Sequence, residues 1–175
     1  MSENICVLIS EEQIEKRILE MAKEISEFYK GEEVHLVSVL KGGVFFTCEL
    51  AKRLTVPVSI DFMSVSSYGN DTKSSGVVKV IKDLDEAIEG KNVLVVEDII
   101  DSGRTLSYLM ENLKSRKPKS LHLCTLLDKP ERRVIDVQVD YTGFAIPDEF
   151  VVGYGLDYMQ HYRNLPYIGV VELEA

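Results

Sequence analysis

A continuous β-rich apolar run, VLVV at positions 93–96, limits what this chain can become more than any other feature. A strand with no polar alternation leaves no face for water and calls for cover on both sides. Cover of that kind comes from helices packed on the two faces of a largely parallel sheet. The remaining sequence has the parts for it. Further β-rich runs stand at 34–40 (VHLVSVL), 57–68 (PVSIDFMSVSSY), 77–82 (VVKVIK), 121–129 (LHLCTLLDK), 139–146 (VDYTGFAI) and 167–173 (YIGVVEL). Between them lie helix-like segments. Ser10-Glu-Glu-Gln13 reads as a capping box. Ile14, Ile18, Met21, Ala22, Ile25 and Phe28 then recur at three and four, predicting one apolar face that closes near Gly31. Helices are also expected at 44–54 and 105–115. The spacing predicts an α/β fold with a mainly parallel central sheet flanked by helices. With 175 residues, no repeat and no linker, one domain is expected.

The run at 93–96 continues as Glu97-Asp98-Ile-Ile-Asp101-Ser-Gly-Arg-Thr105 and leads into a helical segment. It lacks the Lys of a GxxxxGK phosphate loop, and no GxGxxG follows a strand anywhere in the chain. Gly103 can adopt positive φ and let successive amides converge on an anion, with Ser102 and Thr105 as hydroxyl donors beside a helix N-terminus. That half suits a terminal phosphate, although Ser102 or Thr105 as a helix cap and Gly103 as a turn would account for it equally well. The acids decide between the two. Two carboxylates about 6 Å apart repel by roughly 3 kcal/mol at an effective dielectric near 20. Basic side chains, a divalent cation or hydroxyl donors must offset that repulsion. A ligand with a phosphate at one end and a sugar diol at the other, such as ribose 5-phosphate, satisfies both halves.

The composition narrows the partners. A net charge of −9 and a pI near 4.9 disfavour general nucleic-acid binding. No apolar run reaches the roughly 18–20 residues of a membrane span, and MSENICVLISEEQ reads as no signal peptide. Cys6, Cys48 and Cys124 show no ligand spacing, so buried, reduced thiols in a cytoplasmic protein are expected.

The acidic signature resembles the phosphoribosyl diphosphate motif of type I phosphoribosyltransferases. The hypoxanthine-guanine branch of that family is similar at LKGG (40–43), SSYG (66–69), VVEDIIDSGRT (95–105), LLDK (126–129) and FVVGYGLDYMQHYRNLPYIG (150–169), in that order. The resemblance implies transfer of a 5-phosphoribosyl group from 5-phosphoribosyl 1-diphosphate to hypoxanthine, and to guanine, with Mg2+. It also implies a small hood over the sheet, from roughly 1–12 and 128–175, and a homodimer or homotetramer. Residue by residue, it makes Glu97 and Asp98 the ribose and metal acids, with Asp157 a further metal-site acid beside the purine. Asp101 becomes the general base. Ser102, Gly103, Arg104 and Thr105 become the 5-phosphate loop. Lys41, Gly42 and Arg163 fall to the diphosphate, with a cis peptide between Leu40 and Lys41. Ser67 and Tyr68 head a closing loop over 69–76. Lys129 would donate to the purine 6-oxo group, Phe150 would stack on the base, and Val151 would offer backbone contacts. Ser64 departs from members with arginine at that position and removes one charged contact.

By themselves several of these residues read more plainly. Lys129, between Asp128 and Pro130, reads as a solvated turn lysine. Phe150 reads as core, Asp157 and Arg163 as a surface ion pair, and His35, His122 and His161 as structural. A regulator that binds RNA on the same fold stays open as a second reading, as does preference for another purine.

Overall fold

The computed structural model describes residues 4–67 and 78–172. Tyr68 and the polar 69–76 segment lie outside the described residues. In chain order the elements are β1 (Asn4–Ile9), α1 (Glu11–Phe28), β2 (Val34–Val39), α2 (Val44–Arg53), β3 (Val58–Ser67), β4 (Val78–Lys82) and β5 (Asn92–Ile100). They continue with α3 (Arg104–Ser115), β6 (Ser120–Asp128), β7 (Tyr141–Ala145), β8 (Val151–Val152) and β9 (Ile168–Glu172). A short 3-10 turn, Pro130–Arg132, follows β6.

Six strands form the main sheet in the order β4-β3-β2-β5-β6-β7. All pairings are parallel except β3 with β4. Val93 to Val96 are all buried, as an apolar run at the sheet centre demands. Helices α1 and α2 pack with one set of core residues, including Ile14, Ile18, Met21, Phe46 and Leu50. Helix α3 packs Leu106, Leu109 and Leu113 with Val93, Val95 and Leu123 into the other. The parallel sheet covered on both faces is the architecture that the sequence pattern requires. None of these helices is long and apolar enough to cross a membrane.

The expected capping box is present: Ser10 Oγ accepts from the Gln13 N–H at 3.2 Å, and Gln13 Oε1 accepts from the Ser10 N–H at 2.9 Å. The α1 face is as expected for Ile14 through Ile25. Phe28 departs from it. Its ring is 57% exposed and stands edge-on to Tyr29 and His122, because Ile25 and Tyr29, four residues apart, take the inward positions of the last turn. The thiols also correct the expectation. Cys124 is buried, but Cys6 and Cys48 are exposed. Cys6 lies on the edge strand β1, and Cys48 lies on α2 between the residues that face the core.

A second sheet, ordered β1-β9-β8, joins the two ends of the chain. The sequence pattern showed neither β1 nor β8. Most of β1 is exposed on both faces, so its hydrophobicity carries no period; its pairing with β9, from Asn4↔Glu172 to Ile9↔Ile168, makes it a strand. Strand β5 also runs further than its apolar stretch, to Ile100, so Glu97 and Asp98 are strand residues rather than turn residues.

Ser10→Ala removes the acceptor at the start of α1. It should lower stability by about 1 kcal/mol and the thermal midpoint by roughly 2–4 °C for a chain of this size. A melt of the two proteins side by side checks this.

Candidate active site

Adjacent parallel strands end together, and their ends bring the site residues to one edge of the sheet. Strand β2 gives way to Leu40, Lys41 and Gly42, where the Leu40–Lys41 peptide is cis. This turn is held from below. Thr47 Oγ1, at the start of α2, bonds to Ser38 Oγ at 2.8 Å and to the Gly43 carbonyl at 2.7 Å. Strand β5 gives way to Asp101–Gly103, and β6 to Lys129, whose N–H donates to the Ile100 carbonyl at 3.0 Å. A cleft of about 330 Å³ opens between the first two turns. Lys41, Gly42, Glu97, Asp98, Asp101, Ser102, Gly103 and Thr105 line it, with Val65 among its apolar walls.

Glu97 and Asp98 are half-buried, and neither forms an ion pair with a described residue. Glu97 Oε2 accepts from the Asp98 N–H at 3.3 Å, and Asp98 Oδ1 accepts from the Ile99 N–H at 2.7 Å. Burial, then the neighbouring Asp98 charge, holds Glu97 well above the usual carboxylate range. Burial raises Asp98 as well, and hydrogen bonds from Glu97 and the Ile99 N–H, with a smaller pull from the Arg163 charge, bring it part of the way back. Asp98 stands against Gly42 so closely that a Cβ there would fall on its carboxylate. Glycine is required at that position because strand and turn touch.

The loop after β5 is equally constrained. Gly103 sits at φ +82°, and a Cβ on it would run into the Ile135 carbonyl. It caps α3 with backbone alone, and the Arg104 N–H approaches Ser102 Oγ at 3.4 Å. The Ser102 carbonyl is taken by the Val134 and Ile135 N–H groups at 2.9 and 3.0 Å. That leaves the Ser102 and Thr105 side chains and the first amides of α3 toward the cleft. Arg104 is exposed and lies outside the cleft lining.

A third wall comes from the loop after β8. A Cβ at Gly155 would meet the Gly42 carbonyl, so the two loops lie in direct contact. Arg163 donates from Nη1 to the Gly155 carbonyl at 2.7 Å and from Nη2 to Asp157 Oδ1 at 2.8 Å. The Asp157–Arg163 pair is about three-quarters covered rather than a surface contact. Among the described residues no group of three acids, histidines or cysteines forms a ready-made cation cage, and Asp157 is spent on Arg163 and the Gln160 N–H.

Two of the plainer expectations fail. Lys129 is 7% exposed, with Nζ 3.9 Å from Asp148, so it is no solvated turn residue. Phe150 is 54% exposed, with one edge toward Tyr158, so it is no core residue. Val151 is buried and paired with Val170. Asp101 is exposed and ion-paired to Arg132 Nε at 3.2 Å, and Arg132 also reaches Asp148 at 3.5 Å. Arg132, Asp148, Gln160 and Gly155 were missed from the sequence. Gly155 and Gln160 lie within the 150–169 segment and Arg132 and Asp148 just outside the matched segments, but only the folded loops show what they touch. Ser67 ends β3, and Tyr68 lies outside the described residues.

Residues 9–159 match the phosphoribosyl transferase domain family. The chain belongs to the phosphoribosyltransferase family. It is 54% identical over 175 residues to a hypoxanthine phosphoribosyltransferase of Salmonella typhimurium, covering 99% of this chain and 98% of that one. A bifunctional protein, TilS/HprT, of Listeria monocytogenes is 55% identical over 96% of this chain, which spans only 26% of that protein's length. The crystal structure of a hypoxanthine-guanine phosphoribosyltransferase of Bacillus anthracis superposes with a TM-score of 0.91 at 52% identity, covering 95% of this chain and 98% of that one. These likenesses show the fold to be that of type I phosphoribosyltransferases.

The acid pair makes the stability of this phosphoribosyltransferase depend on pH. The folded value of Glu97 is raised, so its contribution is favourable below the ordinary glutamate range and is lost as pH rises through the raised value. Glu97→Gln should therefore raise the melting temperature at neutral pH. The gain should shrink as pH falls toward the ordinary range. Melting curves across pH 4–8 measure it.

Proposed function

We propose that this chain catalyses Mg2+-dependent transfer of the 5-phosphoribosyl group from 5-phosphoribosyl 1-diphosphate to hypoxanthine and guanine, giving inosine and guanosine monophosphates and diphosphate. One observation carries the reading: a half-buried acid pair with no ion pair among the described residues shares a cleft with a glycine-led helix N-terminus and the Lys41–Gly42 turn. A ribose bearing phosphate at one end and diphosphate at the other has the charge and hydroxyl pattern that those three features lack.

In this proposal the amides and hydroxyls of Ser102–Thr105 take the 5-phosphate, with the N-terminal field of α3 behind them. Glu97 and Asp98 accept from the ribose hydroxyls, each such bond contributing roughly 1.5–3 kcal/mol. The Lys41–Gly42 backbone and Arg163 hold the diphosphate, and Ser67 and Tyr68 belong to the closing segment. Lys129 donates to the 6-oxo group, the exposed Phe150 ring stacks on the base, and the Val151 backbone borders it. A 6-amino purine would present a donor to Lys129, which disfavours adenine. As the bond from the anomeric carbon to diphosphate breaks and the purine nitrogen closes on that carbon, Asp101 takes the proton from the imidazole ring. Its ion pair with Arg132 holds the side chain in place on the loop.

Glu97 and Asp98 fit Mg2+, a hard cation that binds one or two carboxylates together with substrate phosphates; Asp157 is the third acid assigned to it. When bound, the ion neutralises charge that develops on the leaving diphosphate. We further place the protein in the cytoplasm, supported by the free thiols Cys6 and Cys48. Residues 1–12 and 128–175 act as the hood of a single domain, supported by the β1-β9-β8 sheet. Self-association as a dimer or tetramer is supported by exposed apolar side chains such as Phe45 and Ile60.

Diphosphate release with hypoxanthine, guanine, xanthine, adenine or uracil offered separately tests the reading. Inosine and guanosine monophosphates should form, with adenine and uracil left unreacted. Tight nucleotide binding with no turnover would favour a regulator, and RNA titration at two salt concentrations would then be decisive. Asp101→Asn should keep phosphoribosyl diphosphate binding and lose about 10²–10⁴-fold in turnover. Lys129→Ala should raise KM for the purine and leave that for phosphoribosyl diphosphate unchanged.

A further inference from the structure

Gln160 occupies the point where the loop after β2 meets the loop after β8. Its Oε1 accepts from Lys41 Nζ and from Arg163 Nη2, at 3.2 Å each. The two cations therefore lie no further apart than twice that distance. Its backbone N–H donates to Asp157 Oδ2 at 2.8 Å, while Asp157 Oδ1 holds Arg163 Nη2 at 2.8 Å. One residue thus ties together Lys41, Asp157 and Arg163, drawn from two loops 119 positions apart in the chain.

Like charges repel, and a chain with 29 acids and 20 bases has carboxylates to spare for such a junction. Here the shared acceptor is an amide oxygen, which has two lone pairs and no charge. Asp157 neutralises Arg163, whereas Lys41 forms no ion pair with a described acid. Positive charge is consequently retained at the mouth of the cleft, with both donors already held in place. A carboxylate at 160 would bind the same two groups more strongly and remove that charge.

We propose that Gln160 is a positioning residue: an uncharged crosslink that holds Lys41 and Arg163 as a preformed cation pair for the diphosphate portion of the ligand. This inference rests on the diphosphate assignment above. It goes beyond it by naming the residue that sets affinity and by requiring that residue to be neutral.

The test uses the full chain and its Gln160→Ala and Gln160→Glu variants, with magnesium diphosphate binding followed by calorimetry, together with melting temperatures and the KM for each substrate. Loss of the crosslink in Gln160→Ala should weaken diphosphate binding about threefold to tenfold, and neutralisation in Gln160→Glu about tenfold or more, a tenfold change being 1.4 kcal/mol. The KM for hypoxanthine should stay unchanged and the melting temperatures should stay close. Equal diphosphate affinity in Gln160→Glu and the unsubstituted protein would overturn the proposal, as would parallel changes in both KM values or weakening that follows a lowered melting temperature. Absence of diphosphate binding by the unsubstituted protein would overturn it too. Turnover by the unsubstituted protein reads the transferase function separately: the expected binding order without turnover would uphold the role of Gln160 and remove the transferase reading.

Discussion

The parallel ladder that holds β5 between β2 and β6 is the constraint on which the site depends. Ser38 pairs with Val96, Val96 with Cys124, and Ile100 with Asp128. Because parallel neighbours run the same way, their carboxyl ends come out together, and ligands of open α/β sheets bind outside such ends. The turn with Lys41 and Gly42, the loop with Asp101 to Thr105, and Lys129 are each the next residues after one of these strands. A slip of one residue in β5 would move Asp98 off Gly42 and turn its side chains to the opposite faces.

Charge is distributed around this edge in a way that favours a ligand over the empty fold. Glu97 and Asp98 meet without an ion pair to any described residue, in partly covered positions where burial raises both. Cations stand along the same edge: Lys41 lines the cleft, Arg163 acts on Asp98, and Arg132 pairs with Asp101. Such an arrangement gives up stability in return for groups that are already aimed, and the offset comes from what binds. The same logic explains the close glycine contacts. Gly42 and Gly155 let backbones approach where a Cβ would separate the acid pair from the Lys41 turn, or that turn from the Arg163 loop.

Much of this was legible in the chain. Continuous apolar runs gave the parallel core strands, the Ser10 and Gln13 pair gave the start of α1, and the acidic signature named residues that the fold gathers along one cleft. Local patterns fail where cover is decided elsewhere. Phe28 keeps the helical period yet is exposed, Cys6 and Cys48 are small and apolar yet face outward, and Lys129 is charged yet buried. Strand β1 has no usable pattern, since its partner β9 lies at the other end of the chain.

The sequence by itself determined the elements with strong periodicity, and the types of group that the signature collects, because hydrophobic period and residue chemistry are local properties. Tertiary structure alone decided which groups became neighbours. Gln160 between Lys41 and Arg163, Arg132 on Asp101, and Gly155 on Gly42 are contacts between loops distant in sequence. Their partners are chosen by the strand ladder and by the close approach of backbones, and neither leaves a periodic trace in the residues concerned.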